Sequence, residues 1–147
     1  MNQLILNVKS LTLFLFPSFD LMHNYIYSDR IQTRRIITRF LREEDYKIWA
    51  SFMADKDCTQ FLPYYGINNA EKRAKHIIEK QLGRYTEKRY GLQLLLHRNS
   101  MEPIGMCGLL LQDVDGIAEL EVGYHLLKPH WGKGYAVEAA KAFKNFG

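Results

Sequence analysis

Three strand-like runs lie close together in the second half of this chain, and the turns between them are too short for anything but a meander. Tyr90 to His97, Ile104 to Leu111 and Ile117 to Leu127 are the runs. Arg98-Asn99-Ser100 with Pro103 separates the first two, and Asp113 to Gly116 separates the second from the third. A parallel pair would need a crossover of about a dozen residues, so these neighbours must run antiparallel. Upstream, Arg35 to Leu41 is rich in β-branched residues and reads as another strand. Glu43, Glu44 and Asp45 suit a helix start, and Ile48, Trp49, Phe52 and Met53 then fall at helical spacing. Pro63 and Gly66 break the chain around an aromatic patch of Phe61, Tyr64 and Tyr65. Asn68 or Asn69 can cap a second helix whose apolar face is Ala74, Ile77, Ile78 and Leu82. A last helix runs from about Gly134 to Phe146. The pattern is β-α-α-β-β-β-α: an α+β fold, an α/β sandwich built on a mostly antiparallel sheet.

A chain of 147 residues, 47% hydrophobic and 24% charged, has the size and composition of one globular domain. Low-complexity and disordered classes are excluded. Lys plus Arg number 20 against 16 acids, for a net charge of +4. That balance suits an anionic small ligand but lacks the clustered basic stripe of a nucleic-acid binder. Cys58 and Cys107 stand far apart, with no CxxC and no metal-ligand spacing, which predicts two reduced thiols in a cytoplasmic protein and no metal site. Residues 1–28 read differently from the domain at 29–147. Leu11 to Phe16 is apolar, but Pro17, Asp20 and His23 follow too soon for a membrane span of about 20 residues. No basic start or Ala-x-Ala site marks a signal peptide. The segment is either an additional strand packed on the domain or a misassigned start, with Met22 as the true one.

The chemistry concentrates between Ala118 and Ala140. Along the third run Ala118, Leu120, Val122, Tyr124 and Leu126 share an apolar face, and Glu119, Glu121, Gly123 and His125 share the polar one. By alternation alone the polar face is a cleft or a wet surface. Trp131-Gly132-Lys133-Gly134-Tyr135-Ala136 then leads straight into the last helix. Glycines there let a ligand approach the backbone, and the first helical N–H groups with the helix dipole form an anion site fit for a pyrophosphate. A Walker A loop does not fit, because the Gly-Lys-Ser/Thr element is missing. A dinucleotide fingerprint does not fit either: Val137 stands at the third glycine and the preceding strands are antiparallel.

That glycine turn resembles the Gln/Arg-x-x-Gly-x-Gly/Ala signature of the GNAT acetyltransferase superfamily, with Trp131 in place of the usual Gln or Arg. The Trp, the Gly-Tyr-Ala and the following Glu138-Ala139 are similar to the subgroup named for acetylating ribosomal-protein N-termini. Ile31-Gln32-Thr33-x-Arg35, Leu41-Arg42-Glu43-Glu44-Asp45, Phe61-Leu62-Pro63 and Glu121-Val122-Gly123-Tyr124 extend the resemblance over about residues 31–147.

The resemblance implies acetyl-CoA as cosubstrate, with its pyrophosphate on Gly132, Lys133, Gly134, Tyr135 and Ala136. It implies that backbone around Leu126 and Leu127 holds the thioester and pantetheine. It implies direct attack on the thioester by a primary amine, a protein N-terminus or a small molecule. An alkylammonium ion with a pKa near ~10 must first lose a proton. Glu121 stands where the family often keeps a base, and His125, further along the same face, can share that role or be an ordinary surface or hydrogen-bonded histidine. Tyr64, Tyr65 and Phe61 line the acceptor pocket or form an aromatic core cluster. The family pattern continues with a β-α-β-β part that this chain lacks, so the expected object is an incomplete domain that binds acetyl-CoA poorly and turns over little. A catalytically silent acyl-CoA-binding module is the alternative. Neither a nucleic-acid nor a membrane partner is expected, and a homodimer is left open.

Overall fold

The computed structural model describes residues 26–60, 62 and 66–146. Four strands form one antiparallel sheet in the order β1-β2-β3-β4: β1 is Ile36–Phe40, β2 Leu92–His97, β3 Pro103–Val114 and β4 Ile117–Leu126. Helices α1 (Tyr46–Ala54), α2 (Lys56–Thr59) and α3 (Ala70–Thr86) connect β1 to β2, and α4 (Tyr135–Phe146) follows β4. This is the expected α+β arrangement with one addition. The short α2 exists because the Asp55 carboxylate caps it, accepting from the Asp57 and Cys58 amides. Asn69 is the residue that caps α3, its Oδ1 accepting from the Lys72 amide at 2.9 Å.

The hairpin between β3 and β4 is tighter than the sequence suggested. Val114 still pairs with Ile117, so the turn is Asp115-Gly116 rather than Asp113 to Gly116. Both turn residues have positive φ, 54° and 81°, as a two-residue type I′ turn demands. The Asp113 carboxylate accepts from the Gly116 amide at 2.8 Å.

The sheet is covered on both faces. On one side α4 contributes Ala139 and Phe143 to a core with Ile36, Leu95, Cys107, Leu109 and Leu126. On the other, Trp49, Phe52 and Met53 of α1 and Ala74 and Ile78 of α3 pack on Leu92, Leu94, Leu96 and Met106. This explains why β2 reads Leu-Gln-Leu-Leu-Leu without alternation. Its buried Gln93 is satisfied by Thr38, whose hydroxyl donates to Oε1 at 2.7 Å, and by the Ser28 carbonyl at 3.0 Å. Asp45 in the acidic run is itself buried, and Arg39 grips it with two bonds of 2.8 Å. The segment 1–28 lies outside the described residues up to residue 25. Tyr27 within it is a core residue, ring against Phe40, Tyr90 and Phe146, hydroxyl donating to the Gly91 carbonyl.

Cys58 and Cys107 are free thiols. Among the described residues no helix is long and apolar enough to cross a membrane, and no cluster of His, Cys, Asp and Glu could hold a metal ion.

Candidate functional site

The site is built where β4 ends and α4 begins. β4 is an edge strand, paired to β3 alone among the described strands. The Leu127 amide donates to the Ile104 carbonyl at 2.9 Å, which sets the direction of the ladder. Antiparallel residues alternate in hydrogen-bond direction. The main-chain groups of Leu120, Val122, Tyr124 and Leu126 therefore face outward. Leu126 and Leu127 thus part company: the Leu126 amide lies on the open edge, whereas the Leu127 amide is committed to β3.

Side chains follow the expected alternation. Leu120, Val122, Tyr124 and Leu126 pack on the α4 side of the sheet. Glu121 is exposed, and its carboxylate accepts from Gln112 Nε2 at 3.2 Å. His125 has a different surrounding. Helix α1 sets the Phe52 and Trp49 rings 5.8 and 6.3 Å from its imidazole. Burial pushes the pKa of His125 down to about 4, so it is neutral at neutral pH. An unfolded chain has a histidine pKa of about 6.5. As pH falls from about 6.5 towards 4 the unfolded chain takes up a proton that the folded one refuses, so stability falls through that window and levels off below it. Denaturant titration at pH 7 and pH 4.5 should show His125→Phe losing on the order of 2 kcal/mol less stability on acidification than the unmodified chain.

After β4 the chain turns through Lys128–His130, and the Trp131 indole N–H donates to the Leu126 carbonyl at 2.8 Å. The residue that replaces the usual Gln or Arg thus ties the turn to the end of the strand. Gly132 and Gly134 have φ of 72° and 78°, a region that favours glycine. A Cβ built on Gly132 would meet no atom within 4 Å, so the turn borders open space. The Glu138 amide donates to the Gly134 carbonyl at 3.1 Å. The amides of Tyr135, Ala136 and Val137 precede this first helical bond and have no acceptor within α4. Lys133 is exposed on the turn. The Tyr135 ring, by contrast, is buried beneath the Arg35 guanidinium, 4.3 Å from its centroid, so only its main chain serves the turn.

The sequence reading missed three residues here. Glu138 accepts from the Thr33 hydroxyl at 2.5 Å and from Arg35 Nε at 2.7 Å, and Arg35 Nη1 donates to the Lys133 carbonyl at 2.9 Å. Thr33-x-Arg35 and Glu138 were visible only as parts of a resemblance. No periodicity links residues so distant in the chain.

A groove of about 600 Å³ opens between α1 and the segment that follows β4, where His130 and not His125 is among the lining residues. Phe52, Asp55, Cys58, Glu102, Leu127 and Lys128 line it, but neither Glu121 nor the glycine turn is among its lining residues. Lys128 is held there by Asp55 and Asp57 at 3.2 and 2.6 Å. Burial pushes the Cys58 thiol up to about 11, so it is protonated at neutral pH. Phe61, Tyr64 and Tyr65, expected to line the acceptor pocket or to form an aromatic core cluster, lie outside the described residues.

Comparison with known proteins agrees with this geometry. YkkB of Bacillus subtilis is 28% identical over 121 residues, covering 80% of this chain and 67% of YkkB. The N-acetyltransferase p20 of Bacillus licheniformis is 25% identical over 126 residues, covering 81% of this chain and 66% of p20. The chain therefore spans about two thirds of the length of these relatives. An acetyltransferase of Agrobacterium tumefaciens superposes with a TM-score of 0.63 at 22% identity, covering 84% of this chain and 68% of its own. RimL, a ribosomal L7/L12 α-N-protein acetyltransferase solved with coenzyme A, superposes at 0.59 with 13% identity, covering 78% of this chain and 64% of its own. At such identities the structures speak for the fold alone. Residues 35–147 match the family model of the acetyltransferase (GNAT) domain, the span that holds the whole sheet, the open β4 edge and the glycine turn, and the chain belongs to that family.

Proposed function

We propose that this domain binds acetyl-CoA and transfers its acetyl group to a primary amine by direct attack. One observation carries the reading: an open glycine turn, with two positive-φ glycines, joins the edge of β4 that is unpaired among the described strands to the N-terminus of α4. The residues present fit the coenzyme. The amides of Gly134, Tyr135, Ala136 and Val137 and the Lys133 charge suit its diphosphate. The outward amide of Leu126 suits the pantetheine arm, which binds an edge as an added strand does.

Glu121 is assigned as the base that takes the ammonium proton, directly or through water. The freed amine forms the N–C bond, the C–S bond breaks and the coenzyme leaves as its thiolate, the net reaction yielding amide, CoA thiol and one proton. His125 is a poor match for the same role, because a pKa of about 4 lies well below the operating pH. It serves as a neutral side chain packed against the Trp49 and Phe52 rings. The acceptor is a protein α-amine or a small-molecule amine, and the setting is cytoplasmic, the reading that two cysteines far apart in sequence with no CxxC suggest. A silent acyl-CoA-binding module remains the second reading, favoured by the weak basicity of His125 and by the exposed, solvated position of Glu121.

The test is a titration of the 147-residue chain with acetyl-CoA, read at the backbone amides of residues 132–137 by NMR, beside an assay of thiol release with a peptide α-amine. Shifts confined to the turn and the β4 edge are expected. Their absence would remove the reading. Gly134→Val, which forces a β-branched residue to φ near 78°, should weaken acetyl-CoA binding by about tenfold or more.

A further inference from the structure

We infer that Arg35, with Thr33 and Glu138, is a positioning clamp that presets the glycine turn for a diphosphate. The inference rests on the acetyl-CoA reading and adds residues that do not touch the reacting atoms. The clamp joins the start of β1 to the first turn of α4. The Thr33 hydroxyl and the Arg35 amide both donate to Glu138 Oε1, at 2.5 and 3.0 Å, and Arg35 Nε donates to Oε2 at 2.7 Å. Thr33 is held in turn through its carbonyl, which accepts from Arg98 Nη1 at 3.1 Å.

The decisive bond is the one from Arg35 Nη1 to the Lys133 carbonyl at 2.9 Å. A trans peptide unit is planar, and its C=O and N–H point in opposite directions. Holding the Lys133 carbonyl towards Arg35 therefore aims the Gly134 N–H away from Arg35, to the opposite side of the turn. Without that hold, the peptide between Lys133 and Gly134 can rotate, eased by the glycine on its C-terminal side, and turn its carbonyl, a repulsive dipole, towards an anion. Stacking of the guanidinium on the Tyr135 ring also restrains the fork. Binding then costs less ordering of a glycine-rich loop.

The clamp also answers a charge problem. Glu138 in the first turn of α4 would repel a bound diphosphate if left unpaired. Burial alone would raise its pKa, but the bonds from Thr33 and Arg35 outweigh that and hold it below the ordinary glutamate value. The carboxylate stays ionised, and Arg35 beside it brings the pair to net neutrality.

The experiment titrates the full chain, Arg35→Ala and Arg35→Lys with CoA and, separately, with pantetheine, which has no diphosphate. NMR shifts are the readout, and a thermal melt of each variant reports folding. Arg35→Ala should weaken CoA by about tenfold or more, the loss of a charge-assisted bond at the turn, and leave pantetheine within about twofold. Arg35→Lys should lose CoA affinity in the same sense, since an ammonium cannot hold Glu138 and the Lys133 carbonyl as a fork does. Equal losses for CoA and pantetheine would show a merely structural role and overturn the clamp. Full CoA affinity in either variant would overturn it too. A failure of the unmodified chain to bind CoA would instead remove the reading of the turn, and the clamp with it.

Discussion

Glu121→Gln lowers the rate of amine acetylation by about 10²-fold or more while acetyl-CoA affinity stays unchanged. The substitution keeps the size of the side chain and an acceptor for Gln112, which donates to the carboxylate at 3.2 Å. It removes only the capacity to take a proton. Thiol release at saturating acetyl-CoA measures the rate, and titration calorimetry the affinity. A variant as fast as the unmodified chain would sink the assignment of the base. Affinity without turnover in both forms would instead establish the silent binding module. Because Glu121 is exposed on an edge strand, the variant should fold as the unmodified chain does.

Phe143→Ala should cost about 3–5 kcal/mol of stability, read from urea denaturation followed by circular dichroism. Phe143 has no exposed surface and sits in the core between α4 and the sheet with Ile36, Leu95, Leu109 and Ala139. Truncation leaves a cavity in a close-packed interior. The cost is a large part of the ~5–15 kcal/mol that holds a domain of this size together. The effect reaches the site, because α4 starts at the glycine turn and this ring fixes how α4 lies on β3 and β4. A loss below about 1 kcal/mol would mean that α4 is not docked as described.

Much of the architecture was legible because local patterns encode it. The short turns around Ser100 and Gly116 dictated antiparallel neighbours, and period-two alternation from Ala118 to Leu126 separated the two faces of β4 as they stand. The details that were misjudged depend on contacts the local pattern does not carry. β3 runs on to Val114 because Asp115 and Gly116 both accept positive φ, which shrinks the turn to two residues. The Asp55 cap creates α2, for which the spacing of apolar residues carries no signal.

The glycine turn shows the same division. Gly-x-Gly before an apolar helix announced main-chain amides without partners, since that is a property of any helix start. Which amide and carbonyl face which way is settled by Arg35 and Trp131, reached from β1 and from the turn itself. By its place on a polar face His125 can be a shared base or an ordinary surface or hydrogen-bonded histidine. Its basicity is lowered by Trp49 and Phe52, brought by a helix that lies more than seventy residues earlier in the chain.

The amino-acid sequence by itself determined the order of the strands and of the three longer helices, the antiparallel sheet, the two faces of β4 and the place of the glycine turn, because spacing and turn chemistry act between near neighbours along the chain. Only the tertiary structure decided that Leu126 and not Leu127 offers its amide, that His125 is held neutral, and that Thr33, Arg35 and Glu138 meet. Hydrogen-bond direction, desolvation and ion pairing depend on which surfaces come together in space, and separation along the chain does not record that.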